Sequence, residues 1–163
     1  MACSGSDTST GDGRAPGTAA DPAAGCPFSG QLTPSSGPSQ NGDSTTLTKI
    51  STRKDNCIDN VQFDFSPGTP AWSVSYQPGP FKDANGQAVT PAGKAFLVVE
   101  LQGVTSSQAD ASAISSSSLN YVQSVQQTSS ASGADQWVIG LSEKLEYTTS
   151  ASGVPAYLVI GLG

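Results

Sequence analysis

From Thr46 onward the chain is a series of short apolar bursts, each bounded by Gly, Pro, Asn or Ser. The longest is Ala95-Phe96-Leu97-Val98-Val99-Glu100-Leu101, set between Thr90-Pro91-Ala92-Gly93 and Gly103. Seven residues is short for a buried helix and right for a central strand covered on both faces. Its neighbours alternate instead: Val61-Gln62-Phe63-Asp64-Phe65 and Trp72-Ser73-Val74-Ser75-Tyr76 read as half-buried strands. Residues 47–52, 119–127, 136–141 and 145–148 complete the shorter candidates. Residues 156–162 are apolar on both parities, so this last strand is expected beside the central one.

Between the strands stand turn signals. Arg53-Lys54-Asp55-Asn56 reads as a polar turn and Ala84-Asn85-Gly86-Gln87 as a hairpin turn. Residues 105–118 are mostly Ser and Ala without a sustained amphipathic face, and read as a long surface loop. Seven to eight short strands without a credible long helix predict an all-β fold. The expected form is an antiparallel β-sandwich or partly open barrel over residues 46–163. Phe63, Phe65, Val74, Phe96, Leu97, Val98, Val99, Ile139, Leu158 and Ile160 are its expected core. Trp72 and Trp137 alternate in phase with aliphatics and belong there too.

Residues 1–45 have a different texture. Phe28 and Leu32 are the large apolar side chains in a text of Ser, Gly, Thr and Pro. Such a segment buries too little to offset its ordering entropy, so it reads as a disordered tether. Ala2-Cys3-Ser4-Gly5-Ser6 resembles the start of a mature bacterial lipoprotein, with Cys3 the lipidated residue. The apolar part of such a signal is missing, so Met1 reads as an added start. With Cys3 given to lipid, Cys26 and Cys57 remain as a natural disulfide pair, the alternative being two unrelated thiols. A disulfide implies an oxidising compartment.

Composition narrows the chemistry. The net charge is −6 with seven basic residues, which gives no footprint for nucleic acid. No apolar run is long enough to span a bilayer, so contact with the membrane is expected through the lipid alone. The chain has no histidine, the commonest general base and metal ligand. The pairs Asp59 with Asp64 and Glu143 with Glu146 read as solvated strand and hairpin positions rather than a glycosidase pair. Lys82-Asp83-Ala84-Asn85-Gly86-Gln87 is a fragment of a calcium loop without its terminal Glu, hence a turn. No catalytic residue, metal site or cofactor is expected.

The phrases Asp59-Asn60-Val61-Gln62-Phe63-Asp64-Phe65, Gly93-Lys94-Ala95-Phe96-Leu97, Gln136-Trp137-Val138-Ile139-Gly140-Leu141 and Val154-Pro155-Ala156-Tyr157-Leu158-Val159-Ile160 resemble, in order and spacing, the AMIN-like domain of actinobacterial secreted and lipid-anchored proteins. The resemblance covers roughly residues 46–163. It implies a β-sandwich in the cell envelope, related to AMIN domains that target envelope enzymes to peptidoglycan, without catalytic residues.

The expected function is a non-enzymatic, monomeric envelope binding module for peptidoglycan or another wall polymer. The alternative is an accessory surface protein that docks a protein partner through a sheet edge or face. Ligand contacts are expected from Arg53 and Lys54, which form with Lys49 the one basic cluster. Stacking is expected from Tyr76 and Tyr147.

Overall fold

Alternation alone accounts for how the strands are used, because the buried parity of each faces one shared layer. The computed structural model describes residues 26–110, 114, 118–131 and 134–163. Cys3 and the first 25 residues of the expected tether lie outside them.

The described residues contain no helix and twelve strands: β1 (Ser35–Gly37), β2 (Thr45–Asp55), β3 (Ile58–Ser66), β4 (Ala71–Tyr76), β5 (Phe81–Lys82), β6 (Ala88–Val89), β7 (Ala95–Gln102), β8 (Val104–Ser107), β9 (Val122–Ala131), β10 (Ala134–Leu141), β11 (Tyr147–Gly153) and β12 (Ala156–Leu162). One sheet has the order β1-β4-β7-β10-β9 and the other β11-β12-β3-β2-β8. All pairs in them are antiparallel except β2 with β8. The fold is thus a sandwich rather than a closed barrel. The count exceeds seven to eight because β1, β5, β6 and β8 are too short to leave a periodic signature.

In β3 the positions alternate without exception: Asp59, Val61, Phe63 and Phe65 are buried and Asn60, Gln62 and Asp64 half-buried. Leu97, Val99 and Leu101 of β7 face Leu158, Ile160 and Leu162 of β12 in a common core, all fully buried. Trp137 joins it edge-on to Phe63, ring centres 6.3 Å apart. Each such side chain removed from water contributes about 1.5–3 kcal/mol. Trp72 is buried as well. Phe96 is half-buried, on the outer parity of β7, where Phe81, Val89, Val98 and Val138 form a second, smaller cluster. The β5–β6 hairpin thus roofs the outer face of the first sheet. Its turn is held by Asp83, whose Oδ1 accepts the N–H groups of Asn85 and Gln87 at 2.8 Å.

Several expectations need correction. β12 lies in the second sheet, between β11 and β3, not beside β7. Both runs are apolar on both parities, and such text specifies an interior strand without naming its sheet. Residues within 105–118 are not all loop, since β8 pairs in parallel with β2. Arg53 and Lys54 continue β2, and the turn is Asn56-Cys57, where Asn56 takes a positive φ of 54°.

The largest correction concerns residues 26–45, expected as tether. Cys26 is disulfide-bonded to Cys57, Cα atoms 5.9 Å apart, within the range such bonds require. The Phe28 ring packs on Gly163, where a Cβ would meet it at 2.7 Å. Gln31 pairs with Tyr147, β1 with β4, and Gln40 with Thr69. The indole of Trp72 lies flush on Gly37, where no Cβ would fit. Main-chain pairing and a covalent bond hold this stretch, neither of which needs the large apolar residues it lacks. A cross-link across a separation of 31 residues stabilises by about 3–4 kcal/mol through chain entropy.

Asp59 is a carboxylate within the buried parity, with no exposed surface. Its Oδ1 accepts Asn120 N–H at 3.0 Å, and its Oδ2 accepts Tyr121 N–H at 2.6 Å and Val122 N–H at 3.0 Å. Three donors pin the entry to β9 onto β3 with charge-assisted bonds. Asp59→Asn replaces one acceptor oxygen by an N–H2 group aimed at backbone N–H groups. The expected loss is about 1–3 kcal/mol, read as a lower denaturant midpoint with an unchanged slope. A midpoint equal to wild type would show that the carboxylate does not hold β9.

Candidate functional site

Two outer faces remain once the core is built, and they differ. The first sheet is roofed by the β5–β6 hairpin. Over the second sheet no described element packs in the same way, and its outward parity carries short polar side chains.

The register sets these in rows across β11, β12, β3 and β2. Ser150, Val159, Gln62 and Ser51 form the middle row. Thr148, Gly161, Asn60 and Arg53 form the row nearest the β2–β3 turn. Tyr157, Asp64 and Lys49 stand in the third. Gln62 Nε2 donates to Asp64 Oδ1 at 2.6 Å, which fixes that amide along β3. Between the strands lies an open depression of about 350 Å³, lined by Ser51, Thr52, Arg53, Asn60, Gln62 and Val159. Thr148 and Asn60 close over Gly161: a Cβ there would stand 2.8 Å from Thr148 Oγ1 and 3.4 Å from Asn60 Oδ1.

The N-terminal segment borders this face. It starts at the disulfide beside β3, passes Phe28 over Gly163 at the end of β12, and reaches the start of β11. There Gly30 N–H donates to Glu146 Oε2 at 3.0 Å. A smaller depression of about 260 Å³ lies at the disulfide, lined by Cys26, Pro27, Asp55, Asn56, Cys57 and Ile58.

Of the expected ligand residues, Arg53 belongs to this face. Its guanidinium is 3.7 Å from Asp55, with both side chains well exposed, so the pair is loose and contributes little. Lys54 is exposed but stands on the other parity of β2, opposite Asp59, and adjacent strand residues point to opposite faces. The basic cluster therefore divides, with Lys49 and Arg53 on the face and Lys54 off it. Of the tyrosines expected to stack, Tyr147 is a correction and Tyr76 stands half-buried. Tyr147 is fully buried and offers no ring to a ligand. Its hydroxyl donates to Thr33 O at 2.6 Å, with Val74 O a second acceptor at 3.0 Å. Tyr76 is half-buried: its hydroxyl donates to Leu145 O at 2.6 Å, its ring meets Tyr147 edge-on, and Lys144 Nζ lies over it at 5.1 Å. In the sequence a strand-end tyrosine does not reveal which parity is buried.

Asp59 and Asp64 sit on opposite faces of β3, and Glu146 holds Gly30. Among the described residues no three His, Cys, Asp or Glu side chains gather as metal ligands. The arrangement can hydrogen-bond a neutral polymer through amides and hydroxyls and receive an anionic group at Arg53. Asn60, Gln62, Ser51 and Val159 were not singled out from the sequence. The signal available was the in-phase polar parity of β3, with amides in mid-strand.

A family model for the AMIN-like domain matches residues 45–162. No curated protein and no solved structure matches the chain.

Burial pushes the Tyr76 and Tyr147 hydroxyls above the ordinary tyrosine value of 10.0, against the lowering effect of their hydrogen bonds. The unfolded chain then loses these protons first as pH rises, so folding stability is complete below about pH 10 and falls above it. Denaturant unfolding followed from about pH 8 upward should show that decline. In Tyr147→Phe the decline should be shallower, from a neutral-pH stability lower by about 1 kcal/mol. An equal slope in the variant would show that Tyr147 is not a source.

Proposed function

Because the chain belongs to the AMIN-like domain family, we propose that it is a non-enzymatic cell-envelope binding module that holds peptidoglycan or another wall polymer on the outer face of its second sheet. Membership and the Cys26–Cys57 disulfide support a location outside the cytoplasm. The observation that carries the reading is the asymmetry of the sandwich. One outer face is covered over part of its area by apolar packing and keeps a smaller depression of about 220 Å³ whose lining includes the carboxylates Glu100 and Asp135, and the other keeps an open depression of about 350 Å³ lined with an amide pair, hydroxyls and an arginine. Those groups match a hydrated, amide- and hydroxyl-rich polymer, for which hydrogen bonds replace water at modest net gain each. Residues 1–25 serve as the tether and Cys3 as its lipid anchor, with residues 26–45 fixed to the domain. The domain acts as a monomer.

One observation favours a second reading. β9 lies at the edge of the first sheet, carries no charged residue, and outside β10 has, among the described residues, a single bridge, from Val125 to Ile114. Such an edge accepts an added strand from a protein partner.

Sedimentation with isolated cell-wall sacculi separates the two. The full chain should pellet with sacculi, and Arg53→Ala should weaken this about tenfold, the scale of one charge-assisted contact. A protein that stays in the supernatant overturns the wall reading and leaves the β9 edge as the better one. The anchor is tested on the native protein by the mass of its N-terminal peptide. Acyl chains on Cys3 and partition into detergent are expected, and an unmodified Cys3 refutes the anchor.

A further inference from the structure

The geometry points to a subsite within this face that takes the C-terminal carboxylate of a short peptide ending in a small apolar residue. This rests on the wall-binding reading and specifies which part of the polymer is gripped: its peptide ends rather than its sugar chain.

Arg53 and Asn60 are direct cross-strand partners, and such side chains stand close enough to share a ligand. Asn60 Oδ1 lies toward Gly161, which directs its N–H2 group away from that strand. The guanidinium fork and the amide donors then offer hydrogens to one space. A carboxylate accepts from an arginine in parallel pairs and holds lone pairs for a further donor. The present partner, Asp55 at 3.7 Å, is loose, exposed and replaceable. It shows that the guanidinium accepts a carboxylate at this place.

The neighbouring row selects the groups next to the carboxylate. Val159 is half-buried on the floor of the depression, the apolar member of its lining. It offers contact to a methyl-sized group and little more. Gln62 stands next to it in the same row and Ser51 beyond Gln62, and both supply donors and acceptors for a peptide amide. Carboxylate, amide and small apolar group together are what the end of a peptide chain presents.

Charge decides against a polyanion. The protein carries a net charge of −6 and sets two cations, Arg53 and Lys49, on this face. A phosphate-rich polymer would gain at Arg53 and be repelled by the rest. A ligand with one isolated negative group avoids that repulsion.

The probes are N-acetyl-trialanine as the free acid and as its C-terminal amide, titrated into the isotope-labelled full chain. The free acid should give saturable amide shifts at Asn60 and Gly161, and the amide should bind at least about tenfold more weakly. Arg53→Gln should lose the preference for the acid and Arg53→Lys restore part of it, since lysine keeps the charge without the fork. Lys54→Gln, off the face, should bind as wild type does. Retained amide dispersion shows that each variant is folded. Equal binding of acid and amide overturns the proposal, as does no saturable shift up to about 10 mM peptide. So does a loss in Lys54→Gln equal to that in Arg53→Gln, which would mean bulk charge, or tighter binding of polyphosphate than of the free acid. The outcome is separable from the wall reading. Sacculus binding with no preference for the free acid removes the subsite alone. A preference for the free acid without sacculus binding removes the wall reading alone.

Discussion

The molecule depends on one layer of apolar side chains shared by two sheets. Each long strand gives it one parity, and Phe63, Trp137, Leu97 and Leu158 meet there, all fully buried. Ordering a residue costs about 1–2 kcal/mol in backbone entropy, and burial in such a layer is what offsets it. The same geometry decides everything outside, because a strand that commits one parity to the core presents the other outward. The binding face is therefore a by-product of the core: Asn60 and Gln62 face out because Val61 and Phe63 face in.

Polar groups set inside the layer do what apolar contact cannot, which is to fix irregular backbone. Asp59 gathers three N–H groups at the entry to β9. Tyr147 crosses from the second sheet to the carbonyls of Thr33 and Val74. In a low-dielectric interior such bonds are stronger and costlier to leave half-made, so they specify one arrangement. Through Tyr147 the segment before β1 becomes part of the sandwich, and through the disulfide its far end is held beside β3. That segment then rims the row containing Arg53 and Gly161, so the elements that close the fold also bound the site.

The site itself is shallow, open and poor in charge. A face of this kind suits recognition by many weak, neutral hydrogen bonds over an extended ligand. Specificity must come from the few positions that differ from the rest: the Arg53 cation and the Val159 methyls. The hairpin over the first sheet covers the apolar part of that sheet's outer face. Phe81 and Val89 cover Phe96, Val98 and Val138, which would otherwise be an exposed apolar patch.

The sequence by itself determined the strands and their buried parity. Val61-Gln62-Phe63-Asp64-Phe65 can satisfy its apolar residues in one way only, and the all-β class followed from many such segments. Spare cysteine count pointed to the Cys26–Cys57 pair, and the family resemblance was carried by contiguous strand text. Partnership was decided only in three dimensions. Residues 156–162 and 95–101 look alike as text, yet lie in different sheets, because a run apolar on both sides states burial and not neighbour. Tyr147 and Arg53 were equally plausible ligand residues in one dimension. Tertiary register buried the first, exposed the second and set Asn60 opposite it. Residues 26–45 have only Phe28 and Leu32 as large apolar side chains and read as tether. Main-chain hydrogen bonds, a disulfide and glycines under the Trp72 and Phe28 rings order them, and the first and last of these appear only when distant segments meet.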